Sequence, residues 1–198
     1  MIARYAFSPM RPKTRIPPLD RYAGPLPKGW EWQVKLDDER GIVRVHDDGS
    51  VEIFNRHWEP LATHKAGVFA AAASMLPTLF PGERIFDVAL LGFRGHWTPG
   101  GIVLLDVPSE RPWAERRARI SSGDLRVLRT WDPLDPEDHQ PAPGTVAILL
   151  SWPETAWNPR DLFFKTKGIP GVEGLIGRDP AAPYQMGDSD RMVKIRWK

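Results

Sequence analysis

The apolar runs of this chain come in hairpin groups, and that grouping restricts the fold more than any other feature of the sequence. Ile42-Val43-Arg44-Val45 runs into Asp47-Asp48-Gly49-Ser50 and returns as Val51-Glu52-Ile53-Phe54. An Asp-Gly pair between two β-branched runs is a strong hairpin signal. Trp30 to Leu36 reads as the strand leading into it, and a second group follows in Arg84 to Leu91 and Gly101 to Val107, around a loop rich in glycine and proline. Leu125 to Trp131 and Thr145 to Trp152 read as strands flanking an acidic, proline-rich loop, and Val172 to Gly177 and Met192 to Trp197 as the last two.

Helices interrupt these groups without alternating regularly with them. Leu61 to Leu76 holds Val68, Phe69, an alanine run and Met75, and reads as a helix buried on one face and closed by Pro77. Pro112 can open a short helix through Arg119, while Asn158-Pro159 and Gly168 bracket another, because Asn caps, Pro suits the first turn and Gly tolerates a left-handed exit. The pattern predicts an α+β fold with largely antiparallel sheets rather than a doubly wound one.

At 198 residues and 41% hydrophobic, the chain suits one packed domain. Residues 1–28 carry Pro9, Pro12, Pro17, Pro18, Pro25 and Pro27 among scattered basic side chains, which favours an extended arm wrapped on that domain. The absence of cysteine excludes a disulfide framework and a thiolate zinc site, and makes an intracellular, cytoplasmic location the expectation. Val68 to Leu76 is too short to cross a bilayer, and the first residues lack a signal-peptide core. A net charge of +2 is compatible with a polyanionic partner without demanding one. The five histidines show no zinc-type spacing, and the acids between Asp132 and Asp138 read as a solvated loop. Most of the nine tryptophans are expected in the core.

Lys35 is the candidate centre of chemistry. It sits in Gln33-Val34-Lys35-Leu36-Asp37-Asp38-Glu39-Arg40, two residues before an aspartate and five before an arginine. Phe54-Asn55-Arg56-His57, Phe86-Asp87-Val88-Ala89-Leu90, and Ile102 to Val107 with Pro112-Trp113-Ala114-Glu115-Arg116-Arg117 follow in order. Then come Val172-Glu173-Gly174-Leu175-Ile176-Gly177-Arg178, Tyr184 to Gly187 and Met192-Val193-Lys194-Ile195-Arg196. In the last segment Lys194 and Arg196 alternate with Val193 and Ile195, so a strand there presents one cationic stripe and one apolar face. The run Arg116-Arg117-Ala118-Arg119 is either a solvated helix face or a contact for nucleic-acid phosphate.

The ordered set, with Ser8-Pro9-Met10 near the start, resembles the adenylation domain of ATP-dependent DNA ligases, in the covalent nucleotidyltransferase superfamily. The resemblance covers nearly the whole chain. It implies two largely antiparallel sheets flanked by helices, an ATP-grasp-like arrangement forming a single nucleotidyltransferase domain over 1–198; the largest expected departure is the C-terminal oligonucleotide-binding barrel into which such ligases continue, which is not expected within these residues. It also implies an enzyme of DNA repair that joins nicked or broken DNA, with ATP and Mg2+ or Mn2+ as cofactors and a possible protein partner supplying the barrel. Lys35 would be the AMP acceptor, with Lys194 as the second catalytic residue. Gln33, Asp37, Arg40, Arg56, Leu105, Glu173, Arg178 and Arg196 would bind nucleotide, and Glu173 would also hold the metal.

A lysine amine attacks the α-phosphate only when neutral, and its ordinary pKa is about 10.4, so nearby cations such as Lys194 and Arg196 are expected to lower it while Asp37 opposes them. Departures from the family pattern are Asp38 for a glycine, expected to want an unusual backbone angle, and Ala89 for a ribose-contacting glutamate. Leu105 stands for a stacking aromatic ring, Arg178 for a lysine and Gln33 for a glutamate. Two readings stand: a nucleotidyltransferase acting through Lys35, which is favoured, and a degenerate relative that binds a nucleotide or DNA end without chemistry. An RNA ligase-like enzyme is a further alternative, against which the E-R-R helix leans.

Overall fold

The Asp-Gly turn closes a hairpin: β3 (Glu39–Val45) pairs antiparallel with β4 (Val51–Asn55), and Gly49 takes the positive φ of 82° that the reversal needs. The computed structural model describes residues 7–121 and 128–197. Its other elements are β1 (Arg11–Ile16), β2 (Glu31–Leu36), α1 (Thr63–Leu79), β5 (Ile85–Leu90), β6 (Ile102–Asp106), α2 (Trp113–Ser121) and β7 (Arg129–Trp131), then β8 (Val146–Leu149), β9 (Trp152–Pro153), α3 (Pro159–Lys165), β10 (Val172–Arg178) and β11 (Asp188–Arg196). They form two sheets flanked by helices, ordered β1-β11-β10-β2-β9 and β4-β3-β5-β6-β8-β7. The fold is α+β, as the hairpin grouping predicts. Most pairs are antiparallel, but β1 runs parallel to β11, and β8 runs parallel to both β6 and β7.

The second sheet is apolar on both faces, so it packs twice. Phe86, Val88 and Leu90 of β5 join one buried cluster with Phe69, Ala72, Ala73 and Leu76 of α1. Ala89, alternating with them, joins a second cluster with Trp32, Val34, Leu175, Val193 and Ile195 of the first sheet. Each fully buried Leu, Val or Phe in these clusters contributes about 1.5–3 kcal/mol. Trp32, Trp113 and Trp131 are among the largest fully buried side chains. No helix among the described residues is long and apolar enough to cross a membrane.

Several boundaries differ from the sequence expectation, among them β11, which begins at Asp188 rather than Met192, and α2, which runs to Ser121 rather than Arg119. α1 continues past Pro77 to Leu79, because the ring lies in the final turn and Leu76 still accepts from Phe80 N at 2.9 Å. Thr145 to Trp152 is not one strand: β8 ends at Leu149, and the chain crosses to the other sheet, where β9 pairs with β2. Of the strand expected at Leu125 to Trp131, Arg129–Trp131 forms β7, and 122–127 lie outside the described residues. α3 forms as its caps predict, the Asn158 side chain accepting from Arg160 N.

Candidate active site

The first sheet carries Lys35 on β2 and surrounds its amine from β10 and β11. Gly174 is opposite Lys35 and Arg196, and Ile176 is opposite Gln33 and Lys194, so Gln33, Lys35, Ile176, Lys194 and Arg196 share one face. The β2–β10 register shifts between Val172 and Gly174. The shift leaves Glu173 unpaired on β2 and turns its carboxylate onto the Lys35 ammonium. Arg196 Nη2 also donates to Glu173, at 3.3 Å. Gly174 allows this bend: its φ is 143°, and a Cβ there would overlap the Ile195 carbonyl oxygen.

These residues line a cavity of about 360 Å³, whose far wall includes Arg40, Ala89, Leu105 and Leu149 of the second sheet. Of the sequence candidates, Gln33, Lys35, Arg40, Arg56, Leu105, Glu173, Arg178, Lys194 and Arg196 all line it. Asp37 lies just outside, where Arg94 Nη1 donates to it at 2.7 Å and His96 lies 3.6 Å away. The Gln33 amide donates to the Leu149 carbonyl at 3.5 Å, which leaves its oxygen as an acceptor within the cavity wall.

Electrostatics make Lys35 an unusual lysine. Burial, the Arg196 charge, and to a lesser degree Lys194 and Arg40 lower its amine from 10.5 to about 7, while Asp37 pulls upward. Desolvation is the largest influence, ahead of the cations on which the sequence reading relied. The Lys194 amine is lowered too, by burial and then by Arg196 and Arg15.

Several side chains occupy other roles than their spacing suggests. Arg40 does not pair with Asp38 or Glu39; its Nε donates to buried Asp87 at 2.7 Å and Nη2 contacts the other carboxylate oxygen. Burial works against the Arg40 charge, but Asp87 outweighs it and raises the pKa. The Tyr184 hydroxyl donates to Asp87 at 2.9 Å and accepts from Met10 N at 2.9 Å, tying the N-terminal arm to the second sheet. Arg116 is neither solvated nor available to a nucleic acid: it is 1% exposed, and its Nε donates to Asp106 at 2.8 Å. Arg178, though lining the cavity, gives its Nη1 to the same Asp106 at 2.9 Å.

Asp38 needs no positive φ, since Trp58 is the non-glycine residue with one among those described. Its carboxylate instead accepts from Glu39 N at 2.8 Å, Gly92 N at 2.6 Å and Phe93 N at 3.1 Å, anchoring the β5–β6 loop beside the cavity. Arg11 and Arg94 also line the cavity without having been signalled by the motifs, as does His57, which closes the segment Phe54-Asn55-Arg56-His57 but was given no role there. The signal available for Arg11 was its place in a basic arm.

No family model and no curated protein sequence matches the chain. Solved structures do. A mycobacterial DNA ligase D complexed with ATP and MES superposes with a TM-score of 0.61 at 16% identity, over 96% of this chain and 60% of that one. Chlorella virus DNA ligase-adenylate gives 0.54 at 13% identity, over 93% and 67%. An archaeal ATP-dependent RNA ligase gives 0.54 at 15% identity, over 86% and 43%. The chain thus spans about two fifths to two thirds of the length of these proteins. Its fold is that of the adenylation domain of ATP-dependent DNA and RNA ligases.

Proposed function

We propose that the chain is an ATP-dependent nucleotidyltransferase that takes AMP onto Lys35 and passes it to the 5'-phosphate of a nicked or broken DNA strand. One observation carries the reading: a lysine amine lowered to about 7 stands at the wall of a nucleotide-sized cavity, ringed by Glu173, Lys194 and Arg196. The neutral Lys35 Nζ attacks the α-phosphorus of ATP. A P–N bond forms, the P–O bond to pyrophosphate breaks, and the amine proton leaves to solvent. A 5'-phosphate oxygen then attacks the same phosphorus, the P–N bond breaks, and Lys35 recovers a proton as the adenylylated end departs.

The other residues orient and neutralise. Lys194 and Arg196 face phosphate oxygens and the departing pyrophosphate. Leu105 and Ile176 offer apolar contact to a purine, and the Gln33 oxygen is an acceptor for an exocyclic amine. Arg56, exposed at the rim, suits the acceptor phosphate. No group of three or more His, Cys, Asp or Glu gathers among the described residues. The donor set still fits Mg2+ or Mn2+, which takes one or two carboxylates alongside phosphate oxygens: Asp38, Glu39 and Glu173 line the cavity, and Glu173, beside Lys35, would be the one to hold it. Such a cation, when bound, would neutralise phosphate charge.

DNA as the acceptor is supported by the DNA ligases among the superposed proteins, beside which an RNA ligase also superposes. The E-R-R helix keeps its lean toward DNA ligases as a motif, although Arg116, being internal, is not itself a contact for nucleic acid. A non-catalytic nucleotide binder is the second reading, favoured by Ala89 and Leu105 standing in the cavity wall without a carboxylate or a ring. Incubation with ATP labelled at the α-phosphate plus Mg2+ or Mn2+ separates the two. The expected result is an AMP adduct on intact protein that disappears in Lys35→Ala; no adduct with either metal, or one that persists in the variant, would refute the assignment.

A further inference from the structure

The N-terminal arm is part of the cavity wall. Pro9, Arg11 and Pro12 line the cavity beside Met192 and Lys194. β1 is held against β11 as a parallel edge strand, and the register places Arg15 opposite Lys194 and Ile16 opposite Ile195. Ile16 and Ile195 are both buried in the same core cluster, so Arg15 and Lys194 emerge together on the opposite face, the one that Lys35 occupies. The proximity is felt electrostatically: Arg15 and Arg11 both lower the Lys194 amine.

Arg11 is poised rather than committed. Among the described residues it pairs with Asp188, at 3.1 Å, and both side chains are about half exposed, at 46% and 60%. Such an exposed pair is weaker than a charge-assisted bond to a phosphate oxygen. The arm's seat is firmer. Arg11 N donates to the Gly187 carbonyl at 2.7 Å, and Met10 N donates to the Tyr184 hydroxyl. Four cations therefore stand on the two neighbouring strands at this edge of the sheet, Arg196 and Lys194 on β11 and Arg15 and Arg11 on β1. Arg11 lines the same cavity as Lys35, Lys194 and Arg196, so a polyphosphate chain running from Lys35 toward the arm would meet it, whereas a monophosphate held at Lys35 would not.

We propose that the arm completes the triphosphate site, with Arg11, assisted by Arg15, binding the β- and γ-phosphates of ATP and so orienting the pyrophosphate leaving group. The inference rests on the nucleotide assignment above but not on covalent chemistry at Lys35. Binding therefore tests it separately from adduct formation.

Affinities for ATP, AMP and inorganic tripolyphosphate are measured by calorimetry for the full chain and for Arg11→Ala and Arg15→Ala. Arg11→Ala is expected to weaken ATP and tripolyphosphate by roughly ten- to a hundredfold, the value of one charge-assisted hydrogen bond, and to leave AMP unchanged. Arg15→Ala should show a smaller loss with the same selectivity, and Arg11→Lys should recover part of it. Asp188→Asn breaks the same ion pair without removing the guanidinium, and should keep the wild-type ratio of ATP to AMP affinity.

Equal losses for AMP and ATP, or a loss reproduced by Asp188→Asn, would make Arg11 a fastener of the arm and overturn the proposal. So would unchanged ATP affinity combined with weakened binding of a nicked duplex that carries a 5'-phosphate, relative to one that lacks it, because the arm would then serve the acceptor. Wild-type protein that binds ATP through Arg11 yet forms no adduct would remove the Lys35 chemistry alone.

Discussion

Lys35 is held between opposite influences, and the balance sets its working pH. Burial, Arg196, Lys194 and Arg40 lower its pKa to about 7, and Asp37 raises it. In the proposed reaction the nucleophile is the neutral form, so single-turnover adduct formation at saturating ATP should rise with pH through about 7 and level off above it. The signs for neighbours follow. Asp37→Asn removes a charge that favours the ammonium and should move the midpoint down; Arg196→Ala removes one that disfavours it and should move the midpoint up. A rate that keeps climbing to the ordinary lysine range of about 10 would contradict this account. The alternation of Lys194 and Arg196 with apolar neighbours was legible because strand periodicity is local. Arg94 on Asp37 was not, because 57 residues separate them and only the seating of the β5–β6 loop brings them together. Asp38 looked like a strained substitution for glycine, but its three backbone donors show a side chain used as a loop anchor instead.

At the level of elements, the hairpins and α3 were readable because their turn and cap residues act on adjacent backbone. The split of Thr145 to Trp152 into two strands was hidden, since an apolar run looks the same whether it stays in one sheet or leaves it. The bulge on β10 was hidden too, and it is what aims Glu173. Gly174 is its hinge, with a φ of 143° and the Ile195 carbonyl against the place a side chain would take. Gly174→Ala should therefore part β10 from β11 locally, at a cost of about 1–3 kcal/mol from backbone strain alone. Denaturant unfolding measures that cost. Adduct formation should fall further than stability does, because Glu173, Lys194 and Arg196 all shift relative to Lys35. A variant with wild-type stability and wild-type adduct yield would show that the bulge does not position the site.

Across the whole molecule, the cavity exists because the two sheets are pinned to each other beside it. Asp106 of β6 has no exposed surface; it accepts from Arg116 of α2 at 2.8 Å and from Arg178 of β10 at 2.9 Å. The Arg178 guanidinium also lies 4.4 Å from the Trp113 ring, so one carboxylate gathers both sheets and a helix. Replacing Asp106 with alanine would strand two arginines that are 1% and 4% exposed. Breaking a buried pair from one side costs about 3–5 kcal/mol, so Asp106→Ala should lower the urea midpoint by a large fraction of the total stability. An apolar triple variant, Asp106→Leu with Arg116→Met and Arg178→Met, leaves no uncompensated charge and should recover much of the loss. The two variants should part company in ATP binding. Asp106→Ala should bind ATP in proportion to its folded fraction, whereas the triple variant, folded but lacking Arg178 in the cavity wall, should bind it weakly even when fully folded. A triple variant as unstable as Asp106→Ala would mean that the cluster contributes specific geometry rather than charge compensation, and equal ATP affinity in wild type and triple variant would place Arg178 outside the nucleotide's reach.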